Sequence, residues 1–88
     1  IYMDINQLIA IVKKKLQDQI QLESLSIEDK SFIHKNHRNN QPNKFHLKIS
    51  LESKELKQLS KIDRNKKVYK ILDKEIKEFI HSLQILIN

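Results

Sequence analysis

The side chains best suited to metal chemistry in this sequence are its four histidines, His34, His37, His46 and His81. A neutral imidazole is a competent ligand for iron and other transition metals. Cys is absent, which excludes a disulfide, a thiolate nucleophile and a Cys-based metal site within the chain. The sequence provides no paired carboxylates, no Ser-His-Asp set and no phosphate-cradling loop. We therefore predict a protein that is not an enzyme.

Basic residues are the second group that could bind a ligand. The formal net charge of +6 and the pI near 9.6 favour approach to nucleic acid, an anionic membrane or an acidic protein. The 17 Lys and Arg are spread along the chain with short clusters at 13–15 and 64–67, whereas a dedicated nucleic-acid binder usually gathers them on one element. A solvated helix face is the competing interpretation. The candidates for phosphate contacts are Arg64, Lys66, Lys67 and Lys70.

Two helices are predicted to position these groups. Apolar residues recur at three- and four-residue steps over 4–19, which places them on one helical face. Asp4 is a suitable N-cap, and Gln7 completes a capping-box pattern. A second long helix is predicted to begin at its N-cap Asp63, with an inward stripe that continues to Leu83.

Strand patterns lie between and after these helices. Residues 22–27 suggest a short strand, and 45–52 alternate between apolar and polar residues, as in a strand with one buried face. The polar stretch HKNHRNNQPN at 34–43 predicts a solvated hairpin loop, and a long loop in a small domain is often functional. Residues 53–61 could form one helical turn, and 85–87 suit a last strand.

The predicted fold is therefore α+β, in the order αββαβ, with a three-stranded sheet and both helices packed on one face. A length of 88 residues leaves room for a single domain, 1–88. No apolar run approaches the roughly 20 residues that span a bilayer, and the first residues lack the pattern of a secretory signal. We expect a soluble intracellular protein, cytoplasmic or organellar, that is not inserted in a membrane.

Two segments resemble the BolA-like protein family. The segment SFIHKNHRNNQPNKFHLKIS, 31–50, resembles a stretch in which a Ser shortly before a His opens a variable loop that ends in a His-Phe-Lys-Val strand. The segment IDRNKKVYKILDKEIKEFIHSLQI, 62–85, looks like the family's long helix with its Arg-His-Arg, Val-Tyr and later Ile-His-Ala-Leu. Together with the first helix, the resemblance covers nearly the whole chain.

The resemblance implies a fold similar to type II KH domains and association with a monothiol glutaredoxin through a shared two-iron two-sulfur cluster. In that family the BolA-like protein provides two ligands of the cluster. These ligands match His81 and the loop residue His34, with His37 as the alternative loop ligand. The partner would supply its Cys and a glutathione thiol. We expect the isolated chain to be a monomer without a tightly bound cofactor.

The sequence departs from the family in several places, and the family's Thr-Pro-Glu-like tail after the last strand is not found. The family's Phe-x-Gly is Leu56-Lys57-Gln58 here, and its Arg-His-Arg is Arg64-Asn65-Lys66. Gly is absent throughout, so the Gly-x-x-Gly loop by which KH domains grip a nucleic-acid backbone cannot form.

The histidines can also be interpreted from position alone. His81 lies nine residues after Leu72, which at about 100° per residue places it on the opposite, exposed side of the predicted helix, near its C-terminus. An ordinary surface histidine, favoured there by the helix dipole, is the competing interpretation. His46 alternates with Phe45 and Leu47, so we expect it to be solvated on the outer face of its strand.

Three functions follow from these observations. The first is a binding module in iron-sulfur trafficking or iron regulation, where two imidazoles complete a cluster held by the glutaredoxin. The alternative is a nucleic-acid-binding transcriptional regulator that uses the basic start of the second long helix. A purely structural subunit is the third possibility.

Overall fold

The computed structural model describes residues 3–31 and 45–88. Their elements are, in chain order, α1 (Ile5–Gln19), β1 (Ser24–Asp29), β2 (Phe45–Glu52), α2 (Lys54–Lys57), α3 (Lys61–Ile71), α4 (Asp73–Glu78) and β3 (Ile80–Ile87). The predicted αββαβ order is confirmed, with the second long helix divided into α3 and α4. None of the described helices is long and apolar enough to cross a membrane.

Helix α1 begins where the capping-box pattern predicts. The Asp4 carboxylate accepts the Gln7 backbone N–H at 2.9 Å, and the Gln7 side-chain oxygen accepts the Asp4 N–H at 3.1 Å. Two of the N–H groups that a helix start leaves without partners are thereby satisfied. The helix then buries Leu8, Val12 and Leu16 completely.

The three strands form one mixed sheet in the order β1-β2-β3. Strands β1 and β2 form the predicted antiparallel hairpin, in which Ser24 lies opposite Glu52 and Asp29 opposite Leu47, whereas β3 pairs with the other edge of β2 in parallel. The inward side chains of all three strands join one core with the helices, so the prediction of helices on one face is confirmed. The central strand contributes Leu47, Ile49 and Leu51, each at most 2% exposed.

The second long helix differs from its prediction at both ends. Its N-cap is Ser60, whose hydroxyl accepts the Asp63 backbone N–H at 3.1 Å, so the prediction of Asp63 as the cap was wrong. The helix is interrupted at Leu72, and α4 ends at Glu78. The remaining residues pair with the free edge of β2, beginning with the bond from Phe45 N–H to the Phe79 carbonyl at 2.8 Å. Pairing satisfies backbone groups on both strands, which a continued helix would not do for β2.

Ser53 gives a stability prediction. This residue is fully buried after β2, donates its hydroxyl to the Gln21 carbonyl at 2.8 Å and accepts the Leu56 N–H at 3.1 Å. Ser53→Ala would leave both partners unsatisfied, so we expect a loss of about 1–3 kcal/mol in the free energy of unfolding. Urea denaturation measures this loss. The exposed cap variant Ser60→Ala is the control, and an equal or larger loss in that control would contradict the prediction.

Candidate functional site

His81 is the second residue of β3 and is exposed. The prediction of exposure is confirmed, but the prediction that it lies at the end of a helix was wrong, because β3 begins at Ile80. Along the parallel pair Phe45 lies opposite Ile80 and His46 opposite Ser82. Strand β3 therefore carries one extra residue, His81, at a register shift of the β-bulge type. Such shifts change the direction of a side chain, and both His81 and Ser82 are exposed here.

His46 lies beside His81 and is only 4% exposed. Its Nδ1 is 2.6 Å from the Ser82 hydroxyl oxygen, and the two imidazole centroids are 5.0 Å apart with an edge-on angle of 64°. The expectation of a solvated His46 was wrong. The strand alternation was read correctly, but His46 belongs to the central strand, and the extra residue in β3 brings a second ring against it.

The end of β1 also contacts His46. Its carbonyl accepts the Lys30 backbone N–H at 2.7 Å, and its own N–H donates to the Ser31 hydroxyl at 3.1 Å. Lys30 and Ser31 are therefore fixed at the same end of the sheet as His81. The predicted loop ligands His34 and His37 lie outside the described residues.

The described part of the chain supplies two neighbouring imidazoles and no larger ligand group. No set of three or more His, Cys, Asp or Glu within residues 3–31 and 45–88 is arranged to hold a metal ion. A shallow depression of about 280 Å³ lies beside His46, and its other polar lining residues are Lys30, Lys48, Ser82 and Gln84. The exposed imidazole of His81 could supply one nitrogen ligand to a metal, and Lys30 and Lys48 make its surroundings cationic.

A basic groove of about 740 Å³ lies between α1 and α3. Its lining residues are Lys15, Gln19, Lys66, Lys67, Lys70 and Ile71. Three of the four predicted phosphate-contacting residues are thus brought together, and the fourth, Arg64, is not among them. The Arg64 guanidinium instead donates to the Leu59 and Lys57 carbonyls at 2.9 and 3.0 Å, where it binds the end of α2.

Two of the groove lysines are already paired with carboxylates. Lys15 lies 2.7 Å from Glu75 Oε2, and Lys67 lies 2.9 Å from Glu55 Oε2. No ion pair joins Lys66 or Lys70 to another residue of the described part. Lys66 and Lys70 are therefore the ammonium groups most available to an anion.

Two residues at these sites were not predicted. The sequence indicated Lys15 only as part of the basic cluster 13–15. Its position three residues after buried Val12 places it at the edge of the buried face of α1, and this was the available signal. The contact between His46 and His81 has no comparable sequence signal, because it depends on a parallel pairing and a register shift.

Glu55 gives a prediction for the pH dependence of stability. The Lys67 ammonium, followed by the Gln21 backbone N–H, lowers the pKa of the Glu55 carboxyl from its ordinary value. A folded-state pKa below the unfolded value stabilises the fold above the unfolded pKa, and this contribution is lost as pH falls through the folded pKa. We therefore expect Glu55→Gln to lose less stability than wild type between pH 6 and pH 3, measured by urea denaturation. Lys67→Met should reduce the pH dependence in the same direction, and a steeper acid loss in either variant would contradict this account.

Comparisons with known proteins give one family. The family model described as BolA-like protein matches residues 16–88. A curated relative from Haemophilus influenzae, named DNA-binding transcriptional regulator BolA, is 29% identical over 75 residues, which cover 85% of this chain and 70% of that protein.

Solved structures give the same result for the fold. BolA1 from Arabidopsis thaliana matches with a TM-score of 0.78 and 25% identity over 91% of this chain and 88% of that one. The BolA domain of SufE1 from Arabidopsis thaliana matches with a TM-score of 0.76 and 24% identity over 90% and 87%. The similarity to type II KH domains stays a prediction.

Proposed function

The chain belongs to the BolA-like protein family, and from this premise we propose that it is a non-catalytic binding module that partners a monothiol glutaredoxin. The two proteins would share a two-iron two-sulfur cluster, in iron-sulfur trafficking or iron regulation. His81 and His34 would be its ligands from this chain, and the glutaredoxin Cys and glutathione would supply thiolates. A cluster with two imidazoles on one iron has a higher potential than an all-thiolate cluster.

The observation that carries this proposal is the placement of His81. A residue that bridges to a partner protein must be exposed, and a ligand must be held in a defined orientation. His81 is exposed on β3, and its ring lies against buried His46. If His81 were an ordinary solvated residue, we would expect its ring to have no such neighbour.

The position of Ser31 supports His34 over His37 as the second ligand. Ser31 is bound to His46 through its hydroxyl, and three residues of chain reach at most about 11 Å, whereas six reach about 22 Å. The length of the chain alone therefore limits His34 to within about 11 Å of Ser31, at the end of the sheet where His81 lies. For His37 the same limit is about twice as long.

Electrostatics also favour an anionic partner at this end of the sheet. Lys30 and Lys48 line the depression beside His46, and Lys30 has a loose pair with Glu28 at 3.5 Å. Thiolate-ligated clusters and the carboxylates of glutathione are negatively charged. Partly exposed ammonium groups would steer them toward His81.

Reconstitution tests the proposal. The chain is mixed with a monothiol glutaredoxin, glutathione, ferrous iron and sulfide under anaerobic conditions, and the products are separated by size with light scattering. We expect a monomer for the chain alone and a one-to-one heterodimer with an iron-sulfur absorption spectrum for the mixture. A glutaredoxin that keeps its cluster with no bound chain, at concentrations of tens of micromolar, would contradict the proposal.

Nucleic-acid binding is the second candidate, because the basic groove gives it a specific location. Lys66, Lys67 and Lys70 line one groove with Lys15, and the Haemophilus influenzae relative is named a DNA-binding transcriptional regulator. Phosphates would bind first to Lys66 and Lys70, since Lys15 and Lys67 are paired with carboxylates.

The salt dependence of binding distinguishes a site from generic attraction. Fluorescence anisotropy with duplex and single-stranded DNA would compare wild type with Lys66→Gln/Lys70→Gln and with the charge-matched control Lys13→Gln/Lys14→Gln. If the groove is the site, the first pair should lower the slope of log K against log salt by about 1.4–1.8, and the control pair by clearly less. Equal losses in both pairs, with no affinity left at physiological salt, would reject this candidate.

A further inference from the structure

We infer that His46 is a positioning residue that holds the His81 imidazole in the orientation for iron binding. This inference rests on the proposed function, since it assigns His81 as the ligand. It adds His46, the second residue of β2, which the sequence predicted to be solvated.

His46 is itself held from three sides. Its carbonyl and N–H bind the backbone of Lys30 and the hydroxyl of Ser31, and its Nδ1 is 2.6 Å from the Ser82 hydroxyl. It is 4% exposed, so its ring has a fixed position against which another side chain can rest. Ser82 directly follows His81 in the chain, so this hydrogen bond also fixes the backbone next to the bulge.

His81 needs such a support. It is the extra residue at the register shift and has no partner of its own on β2. An exposed side chain normally changes rotamer within picoseconds to nanoseconds. The His46 ring, with its centroid 5.0 Å from that of His81 and at 64° to it, restricts this freedom. Residues that orient a metal ligand typically change metal affinity by about 10–100-fold when removed.

Two substitutions separate the ring contact from the hydrogen bond. His46→Asn retains a polar group that can reach Ser82 but removes the ring, whereas His46→Phe retains the ring but removes Nδ1. Ser50→Ala is the control, because Ser50 is another outward residue of β2 and lies outside the depression beside His46. Circular dichroism in the visible range reports the cluster environment, and the decay of that signal gives the rate of cluster loss.

With the reconstituted heterodimer we expect His46→Asn to lose the cluster about tenfold faster and to change its visible circular dichroism. His46→Phe should stay within about threefold of wild type, and Ser50→Ala should match wild type. Equal rates and spectra for His46→Asn and wild type would overturn the inference. Equal damage by His46→Asn and His46→Phe would also overturn it, because the ring contact would then have no role.

The chain alone provides a second readout that does not require a cluster. Three-bond couplings and imidazole shifts of His81, measured by NMR, should show one dominant rotamer in wild type and in His46→Phe, and rotamer averaging in His46→Asn. Averaging in wild type would overturn the inference. If the heterodimer does not form at all, the proposed function fails, and these couplings still decide whether His46 orients His81.

Discussion

His81→Ala should abolish stable cluster sharing with the glutaredoxin while leaving the fold intact. Residues that contact and orient a metal ligand already contribute about 10–100-fold to metal affinity. Removal of the ligand itself should therefore lower the affinity about 100-fold or more. The side chain is exposed on β3, and exposed substitutions usually change the free energy of unfolding by at most about 0.5 kcal/mol. Titration of the cluster-loaded glutaredoxin with each variant, followed by visible circular dichroism, measures the affinity.

Leu86→Ala is the matched control for this prediction, because Leu86 is also exposed on β3 and lies outside the depression beside His46. It should bind like wild type. A His81→Ala chain that forms the heterodimer with unchanged affinity and spectrum would remove His81 from the site.

The loop histidines give a second test of the same site. His34→Ala should reproduce most of the loss caused by His81→Ala, and His37→Ala should stay close to wild type, since the chain ties His34 more closely to Ser31. Mössbauer spectra of the iron-57 cluster in each variant would report the change at the imidazole-bound iron. The reverse order, with His37→Ala the more damaging, would assign the second ligand to His37.

Lys15→Met should cause the largest loss of stability among surface substitutions in this chain. The Glu75 side chain is only 5% exposed, its Oε2 accepts the Lys15 ammonium at 2.7 Å, and its Oε1 has no hydrogen-bond partner among the described residues. Removing one member of a buried ion pair leaves an uncompensated charge and costs about 3–5 kcal/mol. Because Lys15 is itself 38% exposed, we expect a value near the lower end, about 3 kcal/mol.

Urea denaturation with two companion variants isolates this effect. Lys14→Met removes a pair with Asp18 whose side chains are 78% and 57% exposed, so it should cost at most about 0.5 kcal/mol. The double variant Lys15→Met/Glu75→Met should recover most of the loss, because an apolar pair can replace a buried ion pair. A Lys15→Met loss as small as that of Lys14→Met would contradict the account.

Local patterns in the sequence were sufficient for the elements that depend on local interactions. The Asp4 and Gln7 capping box and the alternation of 45–52 each specified an element that the structure contains. The apolar residues Ile76, Phe79, Ile80 and Leu83 fit a helical stripe equally well. The structure divides this run at Phe79, because the free edge of β2 takes the following residues as a parallel strand. Long-range pairing of this kind leaves no local signature.

For the candidate site, local patterns in the sequence likewise predicted the exposure of a residue but not its contacts with distant residues. The spacing after Leu72 predicted an exposed His81 on a helix. His81 lies on β3 instead, and this strand also places the side chain outside the core. Its contact with His46 requires the register shift between β2 and β3, and the joining of Lys15 to Lys66 and Lys70 in one groove requires α1 to pack beside α3. Both depend on tertiary packing rather than on residue order.

The most direct test of the central claim is pulsed electron paramagnetic resonance of the reduced heterodimer, with only this chain carrying 15N-labelled histidine. Couplings from imidazole nitrogens of this chain to the cluster are expected in wild type, and the His81 coupling should disappear in His81→Ala. A reduced cluster without any coupling to a labelled histidine would show that this chain provides no nitrogen ligand, and the shared-cluster account would be wrong.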